Sequence, residues 1–230
     1  MKATHISLPL LLLISLFAAC GGGGGGGDGG DGAAGRTTST AVRLIHGAVA
    51  VAPLQVIIGE QLVSEDAYAQ SSNFVQVPSG PAEIILRRAK STDGSFRTLA
   101  ANLEPETEYS LFLFGGIKDG SDEVKLIEEP VTRPEEGFAR VRVLNALAGS
   151  SGLRLSGTSL QSNGVSAVFG ASSGFVESLS GPVSITVSSN NGVPLSTLAV
   201  NLADRGELTI LISGSSDVGF VTTTLFEDLD

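Results

Sequence analysis

Val42-Arg43-Leu44-Ile45-His46 returns 99 residues later as Val141-Arg142-Val143-Leu144-Asn145. Three more matches run in the same order. Ser79-Gly80-Pro81-Ala82-Glu83-Ile84 reappears as Ser180-Gly181-Pro182-Val183-Ser184-Ile185 at an offset of 101. Thr98-Leu99-Ala100-Ala101-Asn102-Leu103 reappears as Thr197-Leu198-Ala199-Val200-Asn201-Leu202 at 99. Tyr109-Ser110-Leu111-Phe112-Leu113 has its counterpart in Leu208-Thr209-Ile210-Leu211-Ile212, again at 99. A period near 100 is too long for a solenoid unit and suits two whole domains. The copies are expected at residues 41–130 and 138–230, joined by a linker over 131–137 (VTRPEEG) that acts as a hinge.

Each copy reads as strands. Short runs rich in Val, Ile, Leu, Phe and Thr are punctuated by Gly, Pro, Asn and Asp. The first copy offers strands at 41–46, 54–58, 73–77, 82–89, 96–102, 108–114 and 123–128. The second offers 139–145, 152–156, 173–179, 182–188, 194–202, 207–213 and 218–225. Asp93-Gly94 and Asn191-Gly192 suit tight hairpins, because these residues tolerate the positive φ that such turns require. No helical period of 3.6 is sustained. The fold class predicted is all-β, two tandem sandwiches of the immunoglobulin or fibronectin-III kind, each with seven strands.

Leu103-Glu104-Pro105-Glu106-Thr107-Glu108-Tyr109 looks like the tyrosine corner of fibronectin type III domains, with Leu103, Pro105, Thr107 and Tyr109 as its structural residues. In that motif the Tyr hydroxyl bonds back to upstream backbone. The second copy has Asp204 and Leu208 at the Pro and Tyr positions, so it is read as the less rigid of the two. The repeats also resemble the domain of unknown function 4397 family. The resemblance rests on Val42-Arg43-Leu44-Ile45-His46, on Pro53-Leu54-Gln55-Val56 and on Val77-Pro78-Ser79-Gly80. The second copy keeps Val141-Arg142 and Ser180-Gly181-Pro182 but has Asn145 for the His and lacks the early Pro. The resemblance implies exported bacterial proteins built from immunoglobulin-like sandwiches and no established chemistry.

The N-terminus sets an expected location. Lys2 precedes an apolar run from Ile6 to Phe17, which is too short to span a bilayer as a helix and reads as a secretory signal. Ala18-Ala19-Cys20 resembles the lipobox of bacterial lipoproteins, with Phe17 where the family usually has Leu. That resemblance implies removal of residues 1–19, lipidation of Cys20 and anchoring to the membrane by the lipid. Residues 20–40 then form a glycine-rich tether, read as flexible, whose polyglycine matches to GxGxxG lack the flanking strand and helix of a phosphate loop. Gly21 in place of an Asp after the modified cysteine implies the outer membrane, on its periplasmic face or at the cell surface. Leaving out Lys2, 13 basic and 24 acidic residues remain, a formal charge of −11 that argues against nucleic acid and anionic lipid as partners. Cys20 is the sole cysteine, which leaves no disulfide framework and no thiol chemistry.

Candidate sites are few. His46 is the one histidine outside the leader, and its replacement by Asn145 in the second copy favours a hydrogen-bonding role over proton transfer. Gly170-Ala171-Ser172-Ser173-Gly174 fits the nucleophile-elbow pattern, yet no histidine follows it, so it reads as a flexible loop. Asp119, Asp122 and Glu123 offer oxygen ligands for a weak Ca²⁺ loop without EF-hand spacing, or else a solvated hairpin tip. Arg87, Arg88, Lys90 and Arg97 form a basic cluster that could take an anionic partner or guard a sheet edge. Glu104, Glu106 and Glu108 alternate with Pro105, Thr107 and Tyr109 and are expected to share one solvent face of the corner. No motif requires a cofactor or a metal. The reading is a non-enzymatic, lipid-anchored envelope module that engages an envelope protein or surface polysaccharide. The alternatives are a glycan hydrolase, with a cleft between the copies lined by Glu104, Glu106, Asp119 and Asp122, and a Ca²⁺-stabilised adhesin.

Overall fold

Runs of β-branched and aromatic residues bounded by Gly, Pro and Asn become strands throughout the computed structural model. It describes residues 38–228 apart from 50, 52, 91–96, 116–121, 163 and 218. The leader, Cys20, the tether up to residue 37, the Asp93-Gly94 turn and Asp119 lie outside the described residues, and Ser39 and Thr40, read as the end of the tether, instead open the first strand. In the first copy the strands are β1 (Ser39–His46), β2 (Leu54–Ile58), β3 (Gln61–Asp66), β4 (Gln70–Ser71), β5 (Val75–Pro78), β6 (Gly80–Arg88), β7 (Arg97–Leu103), β8 (Glu108–Phe114) and β9 (Glu123–Glu129). The second copy holds β10 (Phe138–Ala148), β11 (Leu153–Gly157), β12 (Val165–Ala167), β13 (Val176–Leu179), β14 (Gly181–Ser189), β15 (Pro194–Leu202), β16 (Glu207–Ser215) and β17 (Phe220–Asp228).

Each copy is a two-sheet sandwich. In the first, β4-β1-β8-β9, with β5 also paired to β1, faces β3-β2-β6-β7. The second repeats this as β13-β10-β16-β17 over β12-β11-β14-β15. The pairs β1–β8 and β10–β16 are parallel, and every other pairing is antiparallel. Val42, Leu44, Leu54, Val56, Ile84, Leu86, Leu111 and Leu113 fill the first core. Val141, Val143, Leu153, Leu155, Ile185, Val187, Ile210 and Ile212 fill the second at equivalent places. Seven strands per copy proves too few, since β3, β4 and β12 are additional. All three are short or sit at a sheet edge, and Gln61 to Asp66 and Gln70-Ser71 carry too much polar sequence to announce a strand.

A third apolar cluster belongs to neither copy alone. Side chains alternate along a strand, so the residues between the core positions of β1, β8, β10 and β16 point to the other face of their sheets. Ile45, Phe112 and Phe114 from the first copy meet Leu144, Ala146 and Leu211 from the second, with Ile127, Phe169 and Phe226 packed around them. These strands are therefore buried on both faces, which explains apolar runs such as Leu111 to Phe114 that do not alternate. The packing is reciprocal. Tyr68 of the first copy bonds Ser213 of the second through their hydroxyls at 2.9 Å. At the equivalent positions Phe169 of the second copy stacks edge-on against Phe114 of the first, centroids 5.3 Å apart. Gly47 lies against the second copy, and a Cβ there would fall 2.6 Å from that of its counterpart Ala146.

The segment between the copies is tied down at its start. Arg140 donates to the carbonyl oxygens of Pro130 and Thr132 at 3.0 and 2.8 Å. It also pairs with Glu207 and stacks on Phe175 at 4.7 Å.

Candidate functional site: a charged cleft where the two copies meet

The sequence places an arginine at the same point of each first strand, and the fold buries both against one carboxylate. Glu129, at the end of β9, accepts from Arg142 at 2.6 Å, from Arg43 at 3.5 Å and from the Ser110 hydroxyl. Arg43 Nε donates to Ser110 at 2.7 Å, and Arg142 Nε donates to the equivalent Thr209 at 3.0 Å. Each guanidinium also lies 4.4 Å from a ring centroid, Arg43 over Phe74 and Arg142 over Phe175. Such stacking suits the planar, weakly hydrated guanidinium. Burial alone would raise the Glu129 carboxyl. The charge and hydrogen bond of Arg142, the Ser110 hydroxyl and Arg43 outweigh it and hold the group below the usual carboxylate range.

The two phenylalanines are delivered by a repeat-specific loop. Ala69-Gln70-Ser71-Ser72-Asn73-Phe74 matches Gly170-Ala171-Ser172-Ser173-Gly174-Phe175 at an offset of 101. Ser72 Oγ accepts from the Leu44 N–H at 2.9 Å, and Ser173 Oγ accepts from the Val143 N–H at 3.0 Å. Both loops turn through a left-handed residue, Ala69 at φ 60° and Gly170 at φ 71°. The second loop is thus no flexible connection. A Cβ at Gly170 would fall 2.1 Å from Phe114, and its carbonyl accepts from Lys125 at 2.8 Å. The serine hydroxyls of the elbow-like pattern are spent on backbone, Ser172 accepting from the Gly174 N–H and Ser173 donating to the Gly174 carbonyl.

Beside the buried ions opens a cleft of about 450 Å³ with walls from both copies. Arg43, Phe74 and Glu129 line it from the cluster itself. Two corner loops supply Glu106 and Glu108 from the first copy and the equivalent Arg205 and Glu207 from the second. Pro130, Val131 and Arg133 close it from the linker, and Glu227 from β17. Glu106 and Arg205 both hold positive φ, 56° and 59°. Their N–H groups donate to the Ser39 and Phe138 carbonyls at 2.9 and 2.7 Å, so the two corners share one backbone shape.

The corner residues explain why one copy has a tyrosine. Tyr109 is buried, and its hydroxyl accepts from the Glu104 N–H at 3.2 Å. Leu103 is in the core, and Thr107 Oγ donates to the Pro105 carbonyl at 3.1 Å. In the second copy Leu208 fills the core instead, and Asp204 accepts from the Gly137 N–H at 2.7 Å. Tyr109→Phe is expected to cost about 0.5–1.5 kcal/mol, the worth of one hydrogen bond, in urea unfolding at pH 7.

The remaining candidates separate. His46 is fully buried beside Tyr68, ring centroids 6.4 Å apart, and its counterpart Asn145 donates to the Ala167 carbonyl at 3.0 Å and accepts from the Leu147 N–H at 3.1 Å. Asp122 is buried and packs against Gly115, whereas Glu123 is exposed. Among the described residues no three His, Cys, Asp or Glu side chains gather to hold a metal ion. Arg87, Arg88 and Lys90 are exposed at the end of β6 and beyond it, but Arg97 turns back to donate to the Asp122 carbonyl at 2.8 Å. The acids expected in a cleft between the copies are only partly there. Glu106 and Glu108 line it, Glu106 exposed and Glu108 half-buried, while Glu104 accepts from Asn102 at 2.6 Å and is exposed, and Asp122 lies beside Arg97. Arg43, Glu129, Arg142, Phe74 and Phe175 were not singled out by sequence. The signal was available in the shared Arg of the first strands and in the repeated Ser-Ser-x-Phe.

No curated protein matches the chain. Among solved structures it is similar to a maltoheptaose-bound carbohydrate-binding module of family CBM26 from Eubacterium rectale, at 12% identity and TM-score 0.28, covering 84% of this chain and 98% of that one. A putative cell adhesion protein from Bacteroides uniformis matches at 9% identity and TM-score 0.25 over 83% and 97% of the two chains. The tip fimbrial protein Mfa3 from Porphyromonas gingivalis matches at 7% identity and TM-score 0.28 over 83% and 98%. The sequence pattern described as domain of unknown function (DUF4397) matches residues 40–155, which take in the whole first copy and the opening strands of the second. The chain belongs to the DUF4397 family.

Proposed function

We propose that this protein is a non-enzymatic binding module of a bacterial envelope, anchored in the outer membrane through a lipid on Cys20. In this reading it holds a hydroxyl-rich surface polysaccharide in the cleft between its two copies. The cleft carries the reading. Its volume falls within the roughly 300–1,000 Å³ of small-ligand sites. Arginine and glutamate side chains both line it, and they offer donors and acceptors to a chain of hydroxyls. The glycine-rich tether supports the anchor, because about twenty such residues reach roughly 25 Å r.m.s. and would lift the module clear of its lipid. Hydrolysis is less well supported. Glycoside cleavage needs a carboxylic acid of raised pKa beside a carboxylate. Glu129 is instead held ionised, and the carboxyl that burial pushes up, Asp66, lies outside the cleft.

The test is calorimetric titration of residues 37–230 with polysaccharide from the host envelope, beside Arg205→Ala and Glu106→Ala. Saturable binding that weakens tenfold or more in both variants, at unchanged melting temperature, is expected. Equal binding by all three proteins, or recovery of an envelope protein and no glycan, would contradict the reading. Mass spectrometry of Cys20 peptides tests the anchor, and an unmodified thiol on the membrane-associated protein would remove it.

A further inference from the structure

Among the described residues the four sheets have two edges each, and one edge strand, β17, carries three exposed large apolar side chains. Among the described residues β17 pairs only with β16. Its counterpart β9 (Glu123-Val124-Lys125-Leu126-Ile127-Glu128-Glu129) carries charges along its length, the usual guard against edge-to-edge pairing. From Phe220 to Phe226 β17 reads Phe-Val-Thr-Thr-Thr-Leu-Phe and has none. Phe220 is 47% exposed, and Val221 and Leu225 are each 37% exposed. The edge strand β15 is also uncharged, but it starts with Pro194, and Leu195, Leu198 and Val200 pack against the second core. An unguarded β-prone edge is a template for a further strand.

We infer that β17 is a self-association edge, which pairs antiparallel with β17 of a second copy of this chain about a two-fold axis through Thr223. The sequence of the strand selects both direction and register. Parallel pairing would set Glu227 beside Glu227, and like charges directly opposite are destabilising. Antiparallel pairing moves them apart. A two-fold axis perpendicular to the sheet keeps each side chain on its own face, and directly opposed residues share a face. The axis must therefore pass through one residue rather than between two. Placed at Thr223, it sets Thr222 opposite Thr224, Val221 opposite Leu225 and Phe220 opposite Phe226, and it leaves Glu227 opposite Gly219. Each pair is of a favourable cross-strand kind, and the three exposed apolar side chains are covered together. Axes one residue away bring Val221 or Leu225 against Thr223 and separate the two phenylalanines.

Residues 37–230 contain both cores and every described strand, and they form one compact unit without Cys20, so a single introduced cysteine reports the edge. Under oxidation Thr223→Cys is expected to give a disulfide-linked dimer at least tenfold faster than Glu128→Cys on β9. Thr222→Cys and Thr224→Cys are expected to cross-link efficiently as a mixture and poorly alone, since diagonal neighbours stand too far apart for a disulfide. Wild-type protein is expected to show a concentration-dependent dimer in sedimentation velocity that Thr223→Lys abolishes. Equal rates for the β9 and β17 cysteines, or efficient self-linking of Thr222→Cys, would overturn the assignment whether or not the lysine variant folds. Loss of cross-linking when residues 21–36 are restored would give the edge to the chain's own N-terminal segment and overturn it equally. None of these readouts depends on glycan binding.

Discussion

Glu129→Ala is expected to destabilise the protein by about 3–5 kcal/mol, because it strands buried guanidinium groups without their carboxylate. Arg43 and Arg142 are 3% and 2% exposed, so water cannot replace what is lost. The cost comes from breaking the cluster and is no measure of its net worth. Removing Arg43, Glu129 and Arg142 together in favour of apolar residues of similar volume is expected to recover most of that loss, since desolvating three ions is itself unfavourable. Chemical denaturation of the two variants beside wild type checks both statements. A Glu129→Ala loss below about 1 kcal/mol would place the pair among ordinary surface ion pairs. Acid provides a second handle. The folded-state pKa of Glu129 lies below its ordinary 4.5, so its contribution is complete above that pH and disappears as pH falls through the lower folded value. Wild type should therefore lose stability below about pH 4.5 more steeply than Glu129→Gln, and parallel slopes would contradict the assignment.

Phe114→Ala should cost about 3–5 kcal/mol, at the upper end of aromatic truncations. Phe114 is 2% exposed and ends β8, yet it packs away from its own sandwich core. Its ring meets Phe112 at 5.2 Å, Phe169 of the other copy at 5.3 Å and the ammonium of Lys125 at 5.1 Å. The space it leaves cannot close without moving Gly170, whose left-handed backbone is held by the Asn145 carbonyl. An equal loss in Leu111→Ala, whose side chain lies in the first core, would show that the two kinds of cluster contribute alike. A loss under 1 kcal/mol for Phe114→Ala would mean that the contact between copies is not part of the folded unit's stability.

Much of the sandwich was legible. The recurring Val-Arg strand, the Ser-Gly-Pro turn and the alternation in strands such as Leu54 to Ile58 report local geometry, which a short window of sequence can hold. The face between the copies was harder to see. Its signal was a loss of alternation, as in Leu111-Phe112-Leu113-Phe114 and Leu208 to Ile212, where both faces are buried. Read one strand at a time, such a run marks a strand without saying what covers its second face. The cleft was hidden for a different reason. Its walls combine Arg43, Glu106, Arg133 and Arg205, four positions spread over 163 residues and joined only by the packing of one copy on the other. Charge pattern alone put Glu104 with Glu106, although the turn between β7 and β8, with Glu106 at positive φ, sends one to Asn102 and the other to the cleft.

Scanning calorimetry of residues 37–230 tests most directly whether the shared ions and the third apolar cluster join the copies into one unit. A single transition is expected, with calorimetric and van't Hoff enthalpies in a ratio close to one. Two resolved transitions, or a ratio near two, would show that each sandwich unfolds on its own and that the face between them is incidental.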